Sequence, residues 1–158
     1  MGEKENISAQ MITKAKILSE FELLASIPDI GEISAALFIG EIGDLPRFSE
    51  HKKVNAFIGI DIRRYHSGKY AGHDHINKRG NPKGRKVLYF IVRNMIRQQK
   101  AAPNHIVDCT ITSFKKQPHP KKDKVAIIAC MNKQLKCIYS MVRNNAKYDY
   151  SHKVSMDH

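Results

Sequence analysis

Apolar residues recur at helical spacing near the start of the chain. Met11, Ala15, Leu18, Phe21 and Ala25 fall on one stripe, which predicts a helix from residue 7 or 8 to about 25. Pro28 stops it, because the proline ring cannot continue the turn. After the tight turn IPDIG, a short second helix is predicted with Ile33, Ala36, Leu37 and Gly40 on its inner stripe. Glu32 stands in its first turn, where the helix dipole favours a carboxylate. This helix should end near Gly43. Ser49 reads as the N-cap of a third helix, SEHKKVNAFIG, with Val54, Phe57 and Ile58 facing inward.

From Gly59 to Gly84 the periodicity breaks. Gly59, Gly68, Gly72, Gly80 and Gly84 punctuate a stretch that alternates charge with aromatics, which predicts an ordered loop with one short hairpin. Loops of that length in a compact domain usually carry function. Asn81-Pro82 is an N-cap followed by proline at the first helical position. A helix should run from there to about residue 100, burying Val87, Leu88, Ile91, Met95 and Ile96 and keeping Arg85, Lys86, Arg93 and Arg97 wetter. Residues 101 to 120, broken by Pro103, Pro118 and Pro120, show no readable period. A last helix is predicted from Asp123 to about Asn144, with Val125, Ile128, Leu135, Ile138, Tyr139 and Val142 buried. The tail from Tyr148 is polar and expected to fray. The pattern describes a mainly α domain with a helix-hairpin-helix-like element and a long Gly-rich basic loop.

Composition adds a partner. The 158 residues, 42% of them hydrophobic, suit one domain with a real core. A net charge of +12 exceeds what solubility needs and points to a polyanion, nucleic acid before membrane. The excess is uneven: residues 1–48 carry net −4, residues 49–100 net +10 and residues 101–158 net +6. Cys109, Cys130 and Cys137 fit neither a disulfide framework nor a zinc site, and the last two share a helix face at i,i+7. No apolar run suits a signal peptide or a bilayer span, so no membrane partner and a cytoplasmic location are expected.

Two stretches invite chemistry. The Pro-x-Ile-Gly turn would leave the N–H groups of Ile30 and Gly31 pointing outward at a helix start, where they could bind phosphate oxygens without reading sequence. An ordinary helical hairpin capped by glycine fits the same spacing, and Glu32, Glu41 and Asp44 argue against direct DNA contact. In RRYHSGK, Ser67 beside Gly68 is by itself an ordinary turn serine. Its neighbours enlarge the reading. Arg63, Arg64, Lys69, Lys78, Arg79, Lys83 and Arg85 could bracket a phosphodiester and stabilise a five-coordinate phosphorus transition state while the hydroxyl attacks. A base for that serine is harder to find, with Asp61, His66 and Asp74 the nearby candidates. His66, His73 and His75 match no common metal-ligand spacing and read as surface histidines, so no metal ligands are assigned.

Three ordered blocks carry a family resemblance: LLASIPDIGEISAALFIGEIGDLPRF, NAFIGIDIRRYHSGKYAGHDHINKRGNPKGRKVLY and KVAIIACMNKQLKCIYSMVRNN. Together they cover roughly residues 20 to 148 and resemble the C-terminal domain of IS110-class insertion-sequence transposases, the bridge-RNA-guided recombinases. The resemblance implies that Ser67, the serine of the family's Ser-Gly motif, is a nucleophile that forms a transient phosphoserine link to DNA. It implies DNA and a guide RNA as partners and a homo-oligomer as the complete enzyme. It also implies Mg2+, held by an Asp-Glu-Asp-Asp set in an N-terminal RuvC-like domain that has no counterpart here. The chain is therefore expected to be a truncated copy, with residues 1–20 ending a helical linker, 21–148 forming the transposase domain and 149–158 a flexible tail. Without the acidic domain the copy is expected to be inactive. The stretch DCTITSFKKQPHPKK departs from the family pattern, which is more aromatic near Cys109 and Thr110. Two rivals stay open: a non-catalytic nucleic-acid-binding module, and a structural RNA-binding protein of ribosomal type, which accounts equally well for the charge.

Overall fold

A computed structural model describes residues 2–63, 66–67, 70–71, 75–115, 118, 120 and 122–149, with backbone pairing alone over 62–75. Among the described residues, seven helices surround one core: α1 (Glu3–Ala15), α2 (Ser19–Ala25), α3 (Glu32–Ile42), α4 (His51–Ile58), α5 (Pro82–Gln98), α6 (His105–Lys115) and α7 (Asp123–Asn144). Among them too, four two-residue strands lie between α4 and α5: β1 (Ile62–Arg63), β2 (His66–Ser67), β3 (Tyr70–Ala71) and β4 (His75–Ile76). A 3-10 turn at Leu45–Arg47 joins α3 to α4. The protein is mainly helical, as the periodicity predicts. Among the described residues, no helix is long and apolar enough to cross a membrane.

The core is built around α7, which packs against α2, α4, α5, α6 and the 3-10 turn, while α3 bridges α1, α2 and α5. Phe38, Leu24, Ile42, Ile58, Leu88, Met95, Met131 and Leu135 are fully buried within it. Burial of each such side chain stabilises the fold by roughly 1.5–3 kcal/mol. The predicted span of α7 is the observed one, but its inner face is turned by about one position. Ala126, Ile127, Cys130, Met131, Gln134, Leu135, Ile138 and Met141 are buried, whereas Val125 is exposed. Ile128, Tyr139 and Val142 flank that face, half-buried.

Several expected elements differ. The first helix is two helices, because Leu18 is extended (φ −88°, ψ 133°) and turns the chain between them. Ile17 and Leu18, placed mid-helix by the pattern, lie exposed at this corner. The break lets α1 pack on α3 through Ala15, Met11 and Ile12, while α2 reaches α7 through its own face of Phe21, Leu23 and Leu24. On α3 the buried stripe is Ala35, Ala36, Phe38, Ile39 and Ile42, and Ile33, Leu37 and Gly40 face outward. That helix is apolar almost all round, so its pattern carries no polar face to mark the outside. The cap of α4 is Glu50 rather than Ser49, and Glu50 makes no side-chain cap bond.

The unreadable stretch holds α6. Asn104, fully buried, caps it by accepting from the Ile106 and Val107 N–H groups at 3.0 and 3.3 Å, and its own N–H donates to Gln99 Oε1 at 3.0 Å. Tyr148, assigned to a fraying tail, is instead pinned. Its N–H donates to Ser26 Oγ at 2.9 Å and its hydroxyl accepts from the His105 N–H at 3.2 Å. The expectation for the residues beyond Asp149 lies outside the described ones.

Candidate nucleic-acid interface

The region from Gly59 to Gly84 is a nested pair of antiparallel ladders followed by the start of α5. In the outer pair Ile62 faces Ile76 and Arg63 faces His75; in the inner pair His66 faces Ala71 and Ser67 faces Tyr70. The two pairs are offset by one residue, since two residues part β1 from β2 and three part β3 from β4. Ser67 ends β2, the first strand of the inner pair. Its place is therefore the far end of the ladder, paired with Tyr70.

The opposite end is fastened by backbone contacts. The Asn77 N–H donates to Asp61 O at 2.9 Å and the Asn81 N–H to Phe57 O at 2.7 Å. Gly59 (φ 80°) and Gly80 cross so closely that a Cβ on Gly80 would meet backbone atoms of Phe57, Ile58 and Gly59 closer than 3.0 Å. Glycine is required there because no side chain fits between the two strands of chain. Asn81 caps α5 as predicted, accepting from Lys83 N and Gly84 N at 3.0 and 3.1 Å. Its amide also donates to Glu41 O and Oε2, tying the hairpin root to α3.

The cations divide into three groups. Lys78, Arg79 and Lys83 are exposed at the root, with the Arg79 N–H on Asn77 Oδ1 at 3.3 Å. Arg85 is half-buried, and its Nη1 donates to Ile58 O at 2.9 Å, so a cation sits at the C-terminus of α4 where the dipole favours it. Part of its guanidinium is thus used inside the fold. Arg63 lies on β1 opposite His75, while Arg64 and Lys69 fall outside the described residues. The ladder order thus puts Ser67 on the inner pair and Lys78, Arg79 and Lys83 beyond the outer one.

The Pro-x-Ile-Gly turn is also partly corrected. The Ile30 N–H is not free, since it donates to Ile27 O at 3.2 Å, and the Ile30 side chain is buried. Gly31, exposed, is the N-cap of α3. Glu32 pairs with Lys16 at 2.7 Å, an exposed ion pair of small energetic weight. Asp29 holds a left-handed backbone (φ 68°) with Oδ2 buried and unpartnered, and burial raises its carboxyl above the ordinary value. Of the proposed bases, Asp61 lies at the hairpin root and not beside Ser67, with Oδ1 buried and unpartnered.

Sequence reasoning did not single out Phe90. It is 53% exposed on the outer face of α5, in line with Lys83, Lys86, Arg93 and Arg97. The i, i+3, i+4 spacing of that line was readable, but an aromatic within a helical pattern reads first as core. The cysteines are free. Burial pushes the Cys137 thiol up to about 11 and raises Cys130, so both thiols stay protonated near neutrality. No group of three His, Cys, Asp or Glu able to hold a metal occurs among the described residues.

Residues 21–106 match the family described as transposase IS116/IS110/IS902. The chain belongs to this family of insertion-sequence transposases. The match takes in α2 to α5, the nested ladders and the start of α6. A relative, the transposase for insertion sequence element IS1111A of Coxiella burnetii (strain RSA 493 / Nine Mile phase I), is 31% identical over 86 residues. That stretch is 54% of this chain and 24% of the relative, so the chain matches about a quarter of that transposase's length. Membership in this family favours the transposase reading over the ribosomal one.

Proposed function

We propose that this chain is the DNA-binding and strand-exchange part of an insertion-sequence transposase, with Ser67 as nucleophile. What carries the reading is the position of Ser67, which ends a strand at the far end of a ladder whose root is fastened to α3, α4 and α5. A nucleophile on a ladder whose root is fastened to the core is placed by the fold for its phosphodiester. In the reaction the Ser67 Oγ–P bond forms as the P–O bond to the leaving deoxyribose hydroxyl breaks. The serine proton goes to a base and the leaving alkoxide takes one up. The phosphoserine ester conserves the bond energy, so the reverse attack by another strand's hydroxyl reseals the DNA.

In the ladder order the root cations stand at the end opposite Ser67. A nucleic-acid strand lying along the hairpin meets Ser67, Arg63 and then Lys78, Arg79 and Lys83 in turn, so these cations align DNA rather than stabilise the reacting phosphorus. Arg64 and Lys69, adjacent in sequence to the inner ladder, are the candidates for that second task. Gly31, at the head of α3, is the part of the helix-hairpin-helix-like turn left to meet a phosphate. The described residues do not fit Mg2+, and no step here runs through it; the metal belongs with the RuvC-like domain that the resemblance implies. Strand exchange between two DNA molecules needs more than one serine, so the complete enzyme acts as an oligomer, with the guide RNA as a further partner.

The test is a chimera in which the matching 86 residues of the Coxiella transposase are replaced by residues 21–106 of this chain. A detergent-stable protein–DNA adduct is expected from the chimera and none from its Ser67→Ala form, with DNA affinity retained. An adduct that survives the substitution rules out Ser67. DNA binding without an adduct, while the parent transposase forms one, favours the non-catalytic module.

A further inference from the structure

The outer face of α5 is a line of side chains that the fold itself does not use. Lys83, Lys86, Phe90, Arg93 and Arg97 follow one another at intervals of three and four residues, so they stack on one face of the helix, and all five are exposed. The opposite face, with Leu88, Ile91, Val92 and Met95, is buried in the core. Helix α5 contains no acidic residue. Its four stripe cations make no ion pair among the described residues, and the carboxylate of Glu41 at the head of the helix is taken by the Asn81 amide. A row of unpaired cations roughly 20 Å long remains, given the rise per residue of an α-helix.

Phe90 interrupts that row at its middle. The Lys86 ammonium lies 6.0 Å from its ring centroid, and the Tyr89 ring stands edge-on at 6.1 Å with the Arg93 guanidinium 5.9 Å from its own centroid. An apolar ring kept in water among cations suits a ligand that offers both a flat π-face and flanking negative charge. Paired DNA offers only the charge, because its base faces are already stacked on one another. Unpaired nucleotides offer both: bases stack on aromatic rings while Lys and Arg track the backbone. A protein partner is a poorer match, since one phenylalanine ringed by like charges is not the contiguous apolar patch such partners use.

We propose that this face of α5 docks a stretch of unpaired, single-stranded DNA. The inference rests on the reading of the chain as a DNA-handling domain and adds the form of the DNA and its place. DNA is chosen over RNA because strand exchange frees DNA strands from their duplexes, and because no group on the stripe accepts the proton of a 2′-hydroxyl, whose added contact is limited to its oxygen. Strand exchange requires strands that leave their duplex, and the face beginning at Lys83, next to the hairpin root, holds one such strand beyond the ladder that carries Ser67.

The test is fluorescence anisotropy with labelled oligothymidine, oligouridine of equal length and a duplex of the same length, all at one fixed salt concentration. Phe90→Ala is expected to weaken oligothymidine binding about fivefold or more and duplex binding by less than about twofold, a ring-stacking difference that pure charge cannot give. Phe90→Trp should restore it. The double substitution Arg93→Gln/Arg97→Gln should weaken both DNA forms and flatten the salt dependence. Since these positions are exposed, circular dichroism should be unchanged. Equal losses for duplex and single strand, no loss from Phe90→Ala, or tighter binding to oligouridine than to oligothymidine each overturn the proposal. Oligothymidine binding that survives all the variants sinks this surface alone, whereas a wild-type chain that binds no DNA sinks the functional reading as well.

Discussion

Asn81 joins three parts of the molecule: its side chain accepts from the first turn of α5 and donates to Glu41 of α3, and its N–H donates to Phe57 of α4. Asn81→Ala is therefore expected to cost 1–2 kcal/mol by order of magnitude, the upper part of the range for a lost cap, as read by urea denaturation. A cost within about 0.3 kcal/mol contradicts this placement. This residue was legible because Asn-Pro is a helix-start signal with its own chemistry. Asn104 does the same work for α6 but was hidden, because Pro103 before it reads equally as a breaker. For Arg85 the sequence shows the charge but not the carbonyl of Ile58 that one of its N–H groups meets. Asp29 gives a pH prediction. Burial raises its carboxyl above the ordinary 3.8, so stability is full below that value and falls as pH rises through the raised one. Asp29→Asn, which suits the left-handed backbone, should match the parent at acid pH and melt higher at neutral pH. A difference independent of pH would contradict the sign.

At the scale of elements, periodicity located α5 and α7 well and failed in instructive places. Helix α5 alternates cations with apolar residues, so its inner and outer faces are written in the sequence. Helix α3 has hardly any polar residue between Glu32 and Glu41, so the stripe through Ile33 and Leu37 and the one through Phe38 and Ile42 were equally helical. Packing against α1, α2 and α5 decided between them. Leu37→Gln should accordingly change stability by less than about 1 kcal/mol, whereas Phe38→Ala, at a site with no exposed surface, should cost about 3–5 kcal/mol. Denaturation midpoints that reverse this order would mean that α3 is turned the other way. The division of the first helix at Leu18 had no proline or glycine to announce it. It comes from tertiary packing, which asks α1 and α2 to meet different partners.

For the whole molecule, charge gave the class of ligand before any element was placed. The excess of +10 in residues 49–100 spans α4, the ladders and α5, which lie inside the family match and carry the ladder and α5 contacts proposed for DNA. Affinity for DNA should fall steeply and linearly in log–log form as salt rises, with a slope near −0.9 per phosphate contact. A salt-insensitive affinity would remove the electrostatic basis of the account. The candidate site was legible only in outline. Its Ser-Gly motif and basic neighbours could be read, but not that most of those cations lie at the root of a hairpin whose far end holds the serine, because strand pairing over two residues leaves almost no periodic trace. The most direct measurement is peptide mapping by mass spectrometry of the adduct that the chimera forms with its DNA. The account predicts a nucleotide phosphate on the peptide carrying Ser67; the same mass on any other residue would contradict it.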